Sequence, residues 1–101
     1  MQRKMNDALS LTTFTVEIDR RPVFAIQGRK HVEVEPILND ETIREQLRVL
    51  RSNGKPLCDD FSIFRIRLAN QDEKALFYES AASLSTSDRQ LAVLLVKLDP
   101  L

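Results

Sequence analysis

Apolar positions recur at helical spacing in the middle of the chain. Around one wheel, Leu38, Ile43, Gln46, Leu47, Val49 and Leu50 share one half, and Asp40, Glu41, Arg44, Glu45, Arg48 and Arg51 share the other. This predicts an amphipathic helix with one buried side. Its stop is expected at Ser52-Asn53-Gly54, residues tolerant of positive φ, with Pro56 unable to continue it. Pro36 is the expected first helical residue, and Asn39 capping a helix from Asp40 is the alternative.

Period-2 patterning marks the strands. In TTFTVEID, Phe14, Val16 and Ile18 alternate with Thr13, Thr15 and Glu17, the pattern of a half-buried strand. Asp19-Arg20-Arg21-Pro22 is expected to turn into a partner, VFAIQ, apolar on both faces at Val23 to Ile26. GRKHVEVEP fits a short strand or a helical lead, and an irregular or helical lead is the expectation. FSIFRIRLA predicts a strand with Phe64, Ile66 and Leu68 on one face and Arg65 and Arg67 on the other. Asn70 with Glu73 three residues on resembles a capping box, and Phe77, Tyr78, Ala81, Ala82 and Leu84 share half a wheel, so a second helix follows. Thr86-Ser87-Asp88 is expected to loop out. QLAVLLVKLD is apolar without alternation, as a strand covered on both faces would be.

The order strand, strand, helix, strand, helix, strand predicts an α+β two-layer sandwich: a four-stranded mixed sheet with two helices on one face, the last strand parallel to the one before through a right-handed crossover. Residues 1–10 are expected to be a disordered tail, and 11–101 one domain. With both helices on one face, the final strand would leave Leu91, Val93 and Leu95 uncovered on its other side. That makes a homodimer through these residues the expected assembly, with the N-terminal tail or residues 28–35, through Val32 and Val34, folding back over that face within one chain as the alternative.

Charge narrows the functions. Lys plus Arg number 15, as do Asp plus Glu, so no net charge draws the chain to nucleic acid or an anionic membrane. Arg20, Arg21, Arg65 and Arg67 could still converge into a local nucleic-acid-binding patch, with solvated turn charges and cross-strand pairs as the alternative. The lone Cys58 excludes an internal disulfide, and no apolar run has the length of a signal peptide or membrane span, so a cytoplasmic protein is expected. With only Gly28 and Gly54, neither the dinucleotide fingerprint nor the phosphate-binding loop can form. His31 and Cys58 would make a nucleophilic pair only if they met in space, and Asp59-Asp60 lacks further residues at metal-ligand spacing. No catalytic, cofactor-binding or metal-binding residue is assigned, and no cofactor is expected. Tyr78 and the five phenylalanines coincide with the apolar faces and suit core or interface better than base stacking.

The TFTVEID opening, the SNGKPLC stretch, FRIRLA and the terminal LVKLD resemble a family of short bacterial proteins of unassigned function. The resemblance spans most of residues 12–99, implies helical character in the 30s and 70s, and carries over no functional residues. Three functional expectations remain. The first is a non-catalytic interaction or accessory domain, homodimeric, with an unknown protein partner. The others are a weak RNA- or DNA-binding module and an enzyme or ligand binder whose site no motif encodes.

Overall fold

The alternating segment Thr12–Ile18 forms strand β1 and pairs with β2, Arg21–Gly28, in the computed structural model, which describes residues 11–80, 82–86 and 91–100. The expected tail 1–10, Ala81, and Ser87 and Asp88 of the expected loop lie outside those residues. The turn is tighter than predicted. Asp19 and Arg20 alone form it, at φ 52° and 70°, a two-residue loop with both residues left-handed, which suits the twist of paired strands. Arg21 and Pro22 already belong to β2, and the register shifts between Val16 and Glu17 to accommodate them.

From β2 the chain crosses one face of the sheet. Helical turn α1, His31–Val34, runs into a 3₁₀ segment, Glu35–Asn39, and then into α2, Glu41–Val49. The helical lead expected for this stretch is present, but the main helix is shorter than predicted at both ends. Pro36 is the second residue of the 3₁₀ segment, and Asp40, extended at ψ 112°, caps α2 by accepting from the Ile43 N–H at 3.1 Å. At the other end Leu50 is already extended. Asn53 and Gly54, at φ 56° and 80°, turn a small hairpin between β3, Arg51–Ser52, and β4, Lys55–Pro56, rather than capping the helix.

The sheet departs from the predicted one in strand count and direction. Strand β5 is Phe64–Leu68, helix α3 is Gln71–Glu79, β6 is Ser83–Leu84 and β7 is Ala92–Leu94. Five strands pair in the order β5-β1-β2-β7-β6, and every described ladder is antiparallel. Strand β7 therefore lies against β2, not parallel to β5, and the expected crossover is not formed. The apolar β2 needs a neighbour on both edges, and β7, buried at all three residues, supplies the second.

Nor do the helices share a face. On the front, Phe14, Val16, Ile18, Phe24, Ile26, Ala92 and Leu94 form one core with Val34, Ile37, Ile43 and Leu47 from the first helical layer and Leu57 and Cys58 from the loop. On the back, Ala25 and Val93 meet Phe77 of α3, with Leu95 beside them. The amphipathic halves of the helices did not reveal this, because α3 buries only Glu73 and Phe77 and the back of β1 is Thr13, Thr15 and Glu17. The docking of α3 is half polar. With α3 on the back, Val93 is buried inside its own chain at 2% exposure, Leu95 is partly buried and Leu91 is 56% exposed. Of the apolar face expected to form a dimer, Val93 and part of Leu95 are therefore covered intramolecularly, while Leu91 is not.

Candidate functional site

Strand β5 lies at an edge of the sheet, and its hydrogen-bonding phase is set by its two ends. The Asp19 N–H donates to the Ile63 carbonyl at 2.9 Å, and the Ala69 N–H donates to the Thr13 carbonyl at 3.0 Å. Because hydrogen-bonded residues alternate along an antiparallel ladder, Ile63, Arg65, Arg67 and Ala69 turn their backbone groups toward β1. Phe64, Ile66 and Leu68 turn theirs outward. Of these groups the Leu68 carbonyl accepts from Arg67 Nη1 at 3.1 Å. Among the described residues, no strand pairs with this edge.

The loop leading into β5 is tied down by its own polar groups. Asp59 Oδ1 accepts from the Phe61 N–H at 2.8 Å and the Ser62 hydroxyl at 3.2 Å, while the Asp59 N–H donates to Ser62 Oγ at 2.9 Å. The Ile63 N–H donates to Asp19 Oδ1 at 3.0 Å, fastening the loop to the β1–β2 turn. This leaves Phe61 90% and Ile63 73% exposed, with Leu68 65% exposed at the far end of the strand. Such apolar exposure along one edge is the kind of surface that binds another chain.

Behind the edge, Arg67 anchors β5. Its guanidinium donates to Glu17 Oε2 from Nε at 2.7 Å and to both oxygens of Glu73 from Nη1 and Nη2, at 2.8 and 2.7 Å. Glu73 Oε1 also accepts from the Thr15 hydroxyl and the Asn70 N–H, each at 2.9 Å. The Asn70 side chain in turn accepts from the Glu73 N–H, completing the predicted capping box. These bonds, Arg67 foremost, hold the Glu73 carboxyl down at about 2, and they push the Arg67 guanidinium above its ordinary value. The cluster of one cation and two carboxylates joins β1, β5 and α3 and carries one net negative charge.

The four arginines singled out from sequence do not share one surface. Arg20 and Arg65 line a shallow cleft with Glu17, Asp19 and Ile63, so two carboxylates stand beside the two bases. Arg67 is held by its carboxylates. Arg21 donates to Ser52 Oγ at 2.8 Å, and that hydroxyl donates to the Lys97 carbonyl at 2.7 Å.

His31 and Cys58 have separate neighbours. His31 Nδ1 is 3.2 Å from Glu35 Oε2 and its ring meets Phe14 edge-on at 5.9 Å. Cys58 is buried with Sγ 3.9 Å from the Arg44 carbonyl oxygen, and burial pushes its thiol above the ordinary value, which opposes thiolate formation. Asp59 spends its carboxylate on the loop, and Asp60 lies 3.7 Å from Arg48 Nε. Among the described residues no three His, Cys, Asp or Glu gather as metal ligands, and no helix is long and apolar enough to cross a membrane.

Sequence patterning did not single out Phe61 or Ile63, and it gave Glu17 only as a polar strand position and Glu73 only as part of a helix cap. One signal was available: Ile63 falls in phase with Arg65 and Arg67, an apolar residue on the polar side of its strand. Comparison with family models, curated proteins and solved structures finds no match.

Proposed function

We propose that the protein is a non-catalytic interaction domain that takes an extended strand onto the free edge of β5. The observation that carries this reading is the outward row of backbone groups at Phe64, Ile66 and Leu68, on a five-residue edge flanked by exposed Phe61, Ile63 and Leu68. Sheet edges of this length are normally covered, charged or bulged, and an exposed one is a template for main-chain pairing. The opposite edge, β6, is only two residues long and offers no comparable template. Main-chain hydrogen bonds would supply the attachment, and the side chains at both ends of the edge the selectivity. Arg67 and its carboxylates keep the strand in place, so the edge is presented already formed, without an ordering cost at binding.

The test is hydrogen exchange on dilute protein, with and without octapeptides selected by display against it. The amides of Phe64, Ile66 and Leu68 should exchange fast and those of Arg65 and Arg67 slowly, and selected peptides should slow the first set. Peptides that bind and leave those three amides unchanged would refute the reading.

A further inference from the structure

Resting on that reading, we infer that the strand this edge accepts is β5 of a second copy of the chain, paired antiparallel about a two-fold axis at Ile66. The register follows from the outward-facing residues. Centring on Ile66 sets Ile66 against its own counterpart and Phe64 against Leu68 of the second copy, so all three outward residues on each side enter hydrogen-bonded pairs. A shift by two residues leaves one of the three without an outward-facing partner inside the strand. The Leu68 carbonyl, which already accepts from Arg67, has a second lone pair for the Phe64 N–H opposite.

The side chains agree with this register on both faces. On the front, Phe64, Ile66 and Leu68 lie in phase, so pairing sets phenylalanine beside leucine and isoleucine beside isoleucine in one apolar row continuous with both cores. On the back, Arg65 of one copy falls opposite Arg67 of the other. Two arginines facing each other would normally repel. Here Arg67 is outnumbered by Glu17 and Glu73, so the incoming Arg65 meets a cluster of net negative charge. Arg65 has no ion pair of its own among the described residues, which leaves it free to make that crossing. The exposed Ile63 falls opposite Ala69 of the second copy. Because the described residues of each chain hold one such edge and β6 is too short to extend the sheet, the assembly closes at two.

The full chain should sediment as a monomer–dimer equilibrium between micromolar and submillimolar concentration. Leu68→Lys changes a residue that is largely in water, and Arg65→Glu sets a third carboxylate against the negative cluster. Each should weaken the dimer on the order of tenfold or more without altering the circular dichroism of the monomer. In a dimer mixed from labelled and unlabelled chains, isotope-filtered NOEs should join the Phe64 ring to the Leu68 methyls of the other copy, residues too far apart along one strand to touch. A dimer indifferent to both substitutions, or lacking that NOE, overturns the inference. A monomer whose Phe64, Ile66 and Leu68 amides exchange fast overturns it too, while leaving the edge open to a foreign strand that the peptide experiment detects. A monomer in which those amides are protected until residues 1–10 are deleted overturns both readings and assigns the edge to the chain's own first residues.

Discussion

Replacing Glu73 by Gln keeps the shape of the side chain and removes its charge, and the consequence is calculable. Glu73 is 7% exposed and accepts four hydrogen bonds, two of them from Arg67, one from Thr15 and one from the Asn70 N–H. A carboxyl held at about 2 instead of its ordinary 4.5 favours the charged form in the folded state by about 3 kcal/mol. Arg67 is about a third exposed, so water screens part of this and the expected loss is about 2–3 kcal/mol near neutral pH. Glutamine would also turn an NH₂ donor toward a site lined by donors, which places the loss at the upper end. Because the folded-state value lies below the unfolded one, the contribution is complete above about pH 5 and is lost as pH falls toward about 2. Urea titrations followed by circular dichroism, at neutral pH and again near pH 2, measure the difference between the native chain and Glu73→Gln. The gap should shrink to a small remainder at low pH, where about half of the native carboxyl is itself protonated. A gap of the same size at both values would show that charge is not what Glu73 contributes, and the account of α3 docking through an ion cluster would fail.

Leu47, fully buried in the front core, should cost about 2–5 kcal/mol on replacement by Ala, whereas Arg48→Ala should cost under about 1 kcal/mol; equal small losses in a denaturant titration would contradict the packing of α2. Arg20→Gly should raise stability by about 1 kcal/mol, because a non-glycine residue at φ 70° is strained and glycine is not, and a fall in the melting temperature would show that the arginine compensates through contacts.

Where a segment carried its own period and its own punctuation, its residues were enough to place it. The alternation through Phe14, Val16 and Ile18 placed β1, the Asn70–Glu73 box placed the start of α3, and the continuous apolar run from Leu91 to Val96 announced a strand covered on both faces, of which Ala92–Leu94 forms. What patterning could not carry was relation between segments. Asn53-Gly54 has the same chemistry as a helix stop or as a hairpin turn, and the choice depends on whether Lys55 and Pro56 find Ser52 and Arg51 as partners. The face taken by α3 was hidden because its attachment to the sheet is divided between Phe77 and Glu73, and hydrophobic spacing sees only the first. The candidate site was hidden for a related reason: an edge is defined by which neighbour is missing, and only Ile63, out of phase with its strand, hinted at it in the sequence.

The central position of β1 and β2 has a consequence for how the chain is made. This hairpin is complete once Gly28 has emerged, yet the strand that covers the far edge of β2 begins only at Ala92. At roughly 5–20 residues per second of synthesis, that edge waits several seconds for its partner. Throughout that interval Val23-Phe24-Ala25-Ile26 is a short, uncharged, apolar strand of the kind that stacks between nascent chains. Arg20 and Arg21 stand one residue before it, across Pro22, and Arg29 and Lys30 close behind it, two positive charges on each flank. Charge so placed opposes strand-on-strand aggregation of an unavoidable apolar segment, so these basic residues act on the unfinished molecule as well as on the surface of the finished one.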